Sequence, residues 1–185
     1  MKNIILIFAL LLVNLFAKAQ KEVSVAFNDV ATGNNISLKY GLYLSPKNQV
    51  EFGVKYHLNP SGNNLRNNTF YKNIHTQNEW QNWGLEGSFY RDVTPENFKI
   101  RLRLLYNVQY TYAGVALKSE LSPPAHFIEN NIGLNLKAPI TEKMFMNVSA
   151  GGGVLLVRDY QNNGFSENTW ELSRFLSFGI SYQIK

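Results

Sequence analysis

The sequence predicts an all-β protein, an eight-stranded antiparallel transmembrane β-barrel, and three observations support this fold class. Apolar and polar residues alternate with a period of two along most of the chain after residue 22. Charged residues make up only 17% of the chain, whereas aromatic residues reach 14%. Connections between the alternating segments are short and long in turn. A period of two places the two residue classes on opposite faces of a strand, whereas a helix would mix them around its circumference.

Met1 to Ala19 has the layout of a secretory signal peptide. Lys2 supplies the positive start, Ile4 to Phe16 is apolar except for Asn14, and Ala17-Lys18-Ala19 has the small-x-small pattern of a cleavage site. The apolar stretch is shorter than the ~20 residues that a membrane-spanning helix needs. We therefore expect residues 1–19 to be removed and residues 20–185 to form one domain.

The clearest strand runs from Phe98 to Tyr112, where even-numbered residues are apolar or aromatic and odd-numbered residues are mostly polar. The same alternation predicts seven further strands around Val23–Phe27, Ile36–Leu44, Val50–Leu58, Trp83–Phe89, Ile128–Lys137, Met144–Leu156 and Leu176–Ile184.

The connections sort into two kinds. Turns are predicted at Ser45–Asn48, Val93–Asn97 and Pro139–Lys143, and long polar loops at 59–78, 113–125 and 158–169. The first hairpin, around Asp29–Asn35, is the one short connection on the long-loop side. Tight turns at one end and longer loops at the other, with an even strand number, are typical of bacterial outer-membrane barrels.

Alternation alone does not tell which face points outward. A soluble lipocalin-like barrel would put the apolar face inward around a ligand. The opposite faces here combine Gly and Ser with charges of both signs, which suits the crowded lumen of an eight-stranded membrane barrel; the charges are Glu51, Lys55, Glu86, Arg101, Arg103, Glu129 and Lys137. We expect a paired interior network, the alternative being a basic lumen around Lys55, Lys99, Arg101, Arg103 and Lys137 that draws anions. Aromatic residues near strand ends predict two interfacial girdles, one of Trp83, Tyr110, Tyr112 and Phe127 and the other of Phe89, Phe98 and Tyr182.

Residues that could carry chemistry are sparse. The chain has no Cys and three His, at 57, 75 and 126, without the spacing of a metal site. His126 and Glu129 are three residues apart on a strand and so fall on opposite faces. We interpret the histidines as polar residues of the barrel rim, and Gly151-Gly152-Gly153 as an aid to strand packing rather than a phosphate cradle. We predict no catalytic, cofactor-binding or metal site, and no nucleic-acid partner, because the basic residues are dispersed.

The segment Phe178-Gly179-Ile180-Ser181-Tyr182-Gln183-Ile184 resembles the C-terminal signature of outer-membrane barrels, although Ile184 and Lys185 replace the usual terminal Phe. Residues 20–185 resemble the small outer-membrane β-barrel family of Bacteroidota, and more distantly the OmpX and OmpA-barrel type. The resemblance implies a location in the cell outer membrane, contact with its lipid, and insertion by the barrel-assembly machinery. We expect a non-enzymatic protein, either structural or binding a surface glycan or protein through its loops. A lipid-modifying enzyme and a periplasmic lipocalin-like binder are the alternatives.

Overall fold

The computed structural model describes residues 20–60, 83–95, 97–113, 125–160 and 166–184. Within these ranges the chain forms eight strands: β1 Lys21–Val30, β2 Gly33–Ser45, β3 Asn48–Pro60, β4 Trp83–Asp92, β5 Arg101–Ala113, β6 Ala125–Pro139, β7 Met144–Tyr160 and β8 Ser166–Ile184. Each strand pairs antiparallel with the next, and β8 pairs with β1 to close the barrel. The predicted fold class is confirmed. The predicted signal peptide lies outside the described residues.

The described residues include no helix that is long and apolar enough to cross a membrane.

The strands are strongly staggered around the barrel. A path perpendicular to the strands that starts at Glu22 on β1 passes Gly41, Glu51, Ser88, Asn107, Asn131 and Gly153 in turn and reaches Ser173 on β8. Glu22 itself pairs with Gln183, which lies ten residues further along β8. Closing a sheet requires such a stagger and tilts the strands relative to the barrel axis. Because of the tilt, residues from distant strands share one layer of the lumen.

The two faces of the wall have opposite chemistry. Most inward-facing polar residues are nearly inaccessible, as for Asn107 and Gln109 on β5. The large apolar side chains point outward and are exposed; examples from seven strands are Val25, Phe27, Leu38, Phe52, Leu85, Leu104, Leu134 and Phe178. This arrangement is the reverse of a soluble barrel, whose apolar residues face inward. The expectation that the apolar faces point outward is confirmed, and the lipocalin-like alternative is wrong.

The first connection has only two residues. Val30 pairs with Gly33, so only Ala31 and Thr32 lie between β1 and β2. Gly33 has a φ of 115°, a value that side chains with a Cβ rarely adopt, and glycine is therefore required at this turn. At the other end, β2 joins β3 through Pro46 and Lys47, and β6 joins β7 through residues 140–143.

Two strand limits differ from the prediction. The strand expected from Phe98 starts at Arg101, because Val93 N donates to the Leu102 carbonyl (3.0 Å) and closes the β4–β5 connection there. The loop expected at 158–169 is shorter, since β7 runs to Tyr160 and β8 begins at Ser166. The predicted loops at 59–78 and 113–125 fall mostly outside the described residues.

Candidate functional site

The middle of the lumen is organised around Lys39 on β2. Its Nζ lies 3.1 Å from Glu51 Oε2 and 3.4 Å from Glu86 Oε1, so one ammonium group bridges carboxylates from two other strands. Asn107 Nδ2 also donates to Glu86 Oε1 (2.9 Å), and the Tyr90 hydroxyl donates to Glu51 Oε2 (3.2 Å). All three charged side chains are at most 5% exposed. Buried charges are tolerated only when paired and hydrogen-bonded in this way.

The layer nearer the short turns contains a second ion pair. Lys137 on β6 donates to Glu22 Oε2 on β1 and to the Tyr43 hydroxyl (2.7 Å). This contact crosses the lumen, because β1 and β6 are not neighbours in the sheet. It joins opposite walls of the barrel through side chains alone.

Arg103 lies in the same layer but has neutral partners. Its guanidinium group donates to the amide oxygens of Gln49 (2.5 Å), Asn135 (2.7 Å) and Asn147 (3.0 Å). It also lies over the Tyr90 ring, with 4.3 Å between Cζ and the ring centroid. Within the described residues no carboxylate forms an ion pair with Arg103, and its positive charge is balanced only at longer range.

The layer nearer the long loops is held mostly by neutral hydrogen bonds. Glu129 accepts from the Thr32 hydroxyl (2.5 Å) and from the Ser173 hydroxyl (2.7 Å), which ties β6 to β8 and to the β1–β2 turn. Lys55 Nζ donates to Gln109 Oε1 (2.7 Å). Apolar side chains complete the filling, since Val30 and Phe175 face each other across β1 and β8 and are at most 1% exposed.

The buried charges of the described lumen balance. Four carboxylates face four cations, and all eight are at most 5% exposed: Glu22, Glu51, Glu86 and Glu129, with Lys39, Lys55, Arg103 and Lys137. The structure therefore agrees with the expected paired network for Lys39 and Lys137, whereas Lys55, Arg103 and Glu129 have neutral hydrogen-bond partners. Glu22 and Lys39 were absent from the predicted charge set, and Arg101 lies at the edge, 3.7 Å from Asp92. The strand register brings these partners together. Because the register depends on how several strands align, it cannot be predicted from any single segment of the sequence.

The lumen opens into a cavity at its short-turn end, which we call the vestibule. It has a volume of about 440 Å³. Its basic lining consists of Lys47, Lys99, Arg101, Arg103 and Lys137, and Asp92 is the one carboxylate that lines it among the described residues. Tyr43, Tyr90, Phe98 and Phe145 add aromatic surface. The vestibule is thus both cationic and partly apolar. Four of the five residues of the alternative basic lumen line it, and Lys55 does not.

Of the two described histidines, His57 departs from the predicted position at the barrel rim. His57 points into the lumen, is 1% exposed, and has Nε2 3.1 Å from Thr111 Oγ1. His126 fits the prediction better, because it lies on the outward side with Nδ1 2.7 Å from the Tyr110 hydroxyl. His75 lies outside the described residues. No group of three or more potential metal ligands occurs in the described part of the chain.

The first glycine of the Gly151-Gly152-Gly153 run on β7 packs against a glycine of β6. A Cβ at Gly151 would lie 2.5 Å from the Ile132 carbonyl oxygen and 2.9 Å from Gly133 Cα. The two strands therefore approach too closely for a side chain at this position. This agrees with the interpretation of the run as a packing feature.

Aromatic residues mark both ends of the apolar outer surface. At the long-loop end, Trp83 packs against Tyr56 with 5.2 Å between ring centroids, and Tyr112 packs against His126. Phe89 and Tyr182 are exposed nearer the short turns. Phe127 is not part of the girdle, because it points into the lumen and is 5% exposed; the parity of β6 places odd residues inside. Asn130, which interrupts the apolar face of β6, accepts a hydrogen bond from the Tyr106 hydroxyl (3.1 Å).

A closed barrel with an apolar outer band, aromatic ends and a polar, side-chain-filled interior has the architecture of transmembrane β-barrels. The chain is therefore an integral outer-membrane β-barrel, as the sequence predicted. In this class the short turns face the periplasm. The short-turn end, with the vestibule, is accordingly the periplasmic end.

No protein-family model and no curated protein matches the chain. Among solved structures, it is similar to the N-terminal β-barrel domain of Pseudomonas aeruginosa OprF, with a TM-score of 0.55, 11% identity, and coverage of 89% of this chain and 97% of that chain. Two other barrels have lower TM-scores. A major outer membrane protein from Thermus thermophilus has a TM-score of 0.42, 12% identity and coverage of 90% and 99%. Neisserial surface protein A has a TM-score of 0.44, 10% identity and coverage of 90% and 96%. At these identities the likeness to the OprF domain concerns the fold alone.

Proposed function

We propose that this protein is a non-enzymatic outer-membrane barrel that acts as a membrane anchor and binds a surface glycan or protein through its external loops. The observation that carries the proposal is the filled lumen. Ion pairs, amide hydrogen bonds and apolar side chains occupy the described interior from Lys137 to Phe175. A barrel filled in this way is poorly suited to passing solutes. The outer surface, the loops and the vestibule are left as the places for function.

The loop between β3 and β4 is the best candidate for such contacts. Its sequence holds seven Asn between residues 59 and 78, together with Phe70, Tyr71 and His75. Amide and aromatic side chains can hydrogen-bond to and stack on sugars, and aromatic residues are enriched at protein interfaces. We also propose that the chain belongs with the small barrels of Bacteroidota, on the strength of its C-terminal pattern.

The experiment replaces residues 61–82 with a short Gly/Ser segment and compares binding of purified lipopolysaccharide and of capsular polysaccharide with that of the unaltered barrel in nanodiscs. The matched control replaces residues 161–165 in the same way. We expect the first replacement to abolish binding of at least one polysaccharide while cold-gel migration, which reports barrel folding, stays unchanged. Equal binding by all three proteins would contradict the proposed role of this loop.

The runner-up, a lipid-modifying enzyme, is tested in the same cells. Mass spectra of lipid A and phospholipids from cells with and without the protein are compared. A non-enzymatic barrel leaves both spectra unchanged. A shift by one acyl chain would overturn the non-enzymatic proposal.

A further inference from the structure

The periplasmic vestibule combines three properties. It is a cavity of about 440 Å³, it is lined by an excess of cations, and it has aromatic walls. Small-molecule sites are concave, measure about 300 to 1,000 Å³, and join apolar surface with a few placed polar groups. The vestibule is concave and of this size, and it joins aromatic surface with a larger share of polar and charged groups. The lumen beyond it is filled by side chains.

The vestibule adds further cations, Lys47, Lys99 and Arg101, to the balanced set of buried lumen charges. Lys137 is paired with Glu22, and Arg101 with Asp92. Arg103 has only amide oxygens as direct partners. Lys47 and Lys99 are exposed at the mouth, and neither forms an ion pair with a carboxylate of the described residues. An excess of positive charge in a walled cleft attracts anions and concentrates them.

The deepest cations are fixed in place rather than free to move. Arg103 lies over the Tyr90 ring, and Lys137 Nζ lies 4.4 Å from the Phe145 ring centroid. Both side chains are 4% exposed. Positioned donors lose little side-chain entropy when a ligand binds, and a planar guanidinium group suits carboxylate and phosphate oxygens. The inner end of the vestibule therefore carries fixed positive charge, and an oxyanion would share the Arg103 and Lys137 donors with the amide, carboxylate and hydroxyl oxygens that they already contact.

We propose that the vestibule binds a small organic anion from the periplasm, a phosphate or carboxylate attached to an aromatic or apolar body. The oxyanion faces Arg103 and Lys137, Lys47 and Lys99 guide it in, and the apolar body packs on Phe98 and Phe145. A soluble ligand is favoured over a lipid head group because Gln49, Tyr90 and Arg103 lie on the inward faces of their strands, away from the bilayer.

The test measures binding of phenyl phosphate by isothermal titration calorimetry to the refolded mature barrel in a neutral maltoside detergent. We expect saturable one-site binding that weakens as salt is added. The double variant Lys47→Gln/Lys99→Gln, which changes two exposed residues, should lower the affinity about tenfold or more, since each charged contact contributes on the order of a tenfold effect. Arg103→Lys, which keeps the charge but loses the planar fork, should also weaken binding.

The control is Lys143→Gln, which removes one lysine charge from the same end of the barrel at a position outside the vestibule lining, and its effect is compared with those of Lys47→Gln and Lys99→Gln made singly. It should leave the affinity unchanged. Absence of saturable binding at millimolar phenyl phosphate, or an equal loss in the control, would overturn the proposal. So would complete loss of binding in nanodiscs when phosphatidylglycerol replaces phosphatidylcholine, because the vestibule would then hold a lipid head group.

Discussion

Lys39 determines the charge balance in the middle of the lumen. It is the one ammonium group within ion-pair distance of both Glu51 and Glu86 among the described residues. Removal of one partner from a buried ion pair leaves an uncompensated charge in a medium that solvates it poorly. The loss in the free energy of unfolding is larger than when an exposed ion pair is broken, because exposed pairs contribute little to stability.

We therefore expect Lys39→Met to lower the free energy of unfolding by about 3 to 5 kcal/mol, because two carboxylates lose their cation. The control, Arg174→Met, breaks the outward Arg174–Asp29 pair (3.4 Å), in which Arg174 is 61% exposed. It should cost about 1 kcal/mol or less. Urea titration of the barrel refolded into lipid vesicles measures both. Similar losses in the two variants would mean that the lumen network does not contribute to stability as described.

For single residues, the sequence predicts on which face of the barrel wall a side chain lies, but not which residue it contacts across the lumen. Alternation places Glu51, Lys55 and Glu86 on the polar face of their strands, and the mixture of small residues with charges of both signs on that face predicts that it lies inside. All three side chains are buried. That Lys137 meets Glu22 depends on the stagger of the strands around the barrel, which no local pattern encodes. Phe127 was misplaced because an aromatic residue near a strand end favours a girdle, whereas strand parity decides its side.

At the scale of the element, β2 offers a direct comparison between a bilayer and water. Leu38 and Leu44 lie on the same outward face of one strand and are 53% and 55% exposed. Leu38 lies near mid-strand, and Leu44 lies next to the β2–β3 turn. In water, a charged side chain would change the free energy of unfolding by a similar amount at either position. In a bilayer, the loss of stability depends on how deep in the membrane the charge lies.

Leu38→Arg is accordingly expected to lower the free energy of unfolding by about 2 to 4 kcal/mol, and Leu44→Arg by about 1 kcal/mol or less, because only the first places the guanidinium near the bilayer midplane. Reversible unfolding from lipid vesicles is the measurement. Leu38→Asn and Leu44→Asn serve as a polar, uncharged pair of controls. Equal losses for the two Arg variants would contradict the assigned position of the membrane.

Elements were predicted well where one face is uniformly apolar, and poorly where the alternation is interrupted. All eight strands were found, yet β8 begins at Ser166 instead of near Leu176. Trp170 and Leu172 lie on the outward face, but Arg174 is outward as well, whereas Phe175 is buried inside. This reversal at 174–175 hides the first part of the strand in the sequence, although its hydrogen-bonded ladder with β7 continues to Ser166. The vestibule was missed for a related reason, because its lining comes from several strands and turns.

For the whole molecule, the filled lumen predicts electrical behaviour. We expect the purified barrel to insert into planar bilayers without large, stable conductance steps, since the interior of an eight-stranded barrel is just wide enough for its side chains. The same preparation should migrate differently before and after boiling on a cold gel, which shows that folded barrels were present. Stable openings of porin size in a heat-modifiable preparation would mean that the interior rearranges into a channel.

The Lys137–Glu22 contact between opposite walls also bears on how the barrel is assembled. Its partners are 115 residues apart in the chain. Glu22 lies on the first strand and its cation on the sixth. A sheet that lacks either strand carries one of the two charges without its partner, and in such a sheet the hydrogen-bonded seam between β1 and β8 is still open. Completion of the seam and neutralisation of the interior thus belong to the same late stage, which favours an all-or-none insertion over a series of stable partial barrels.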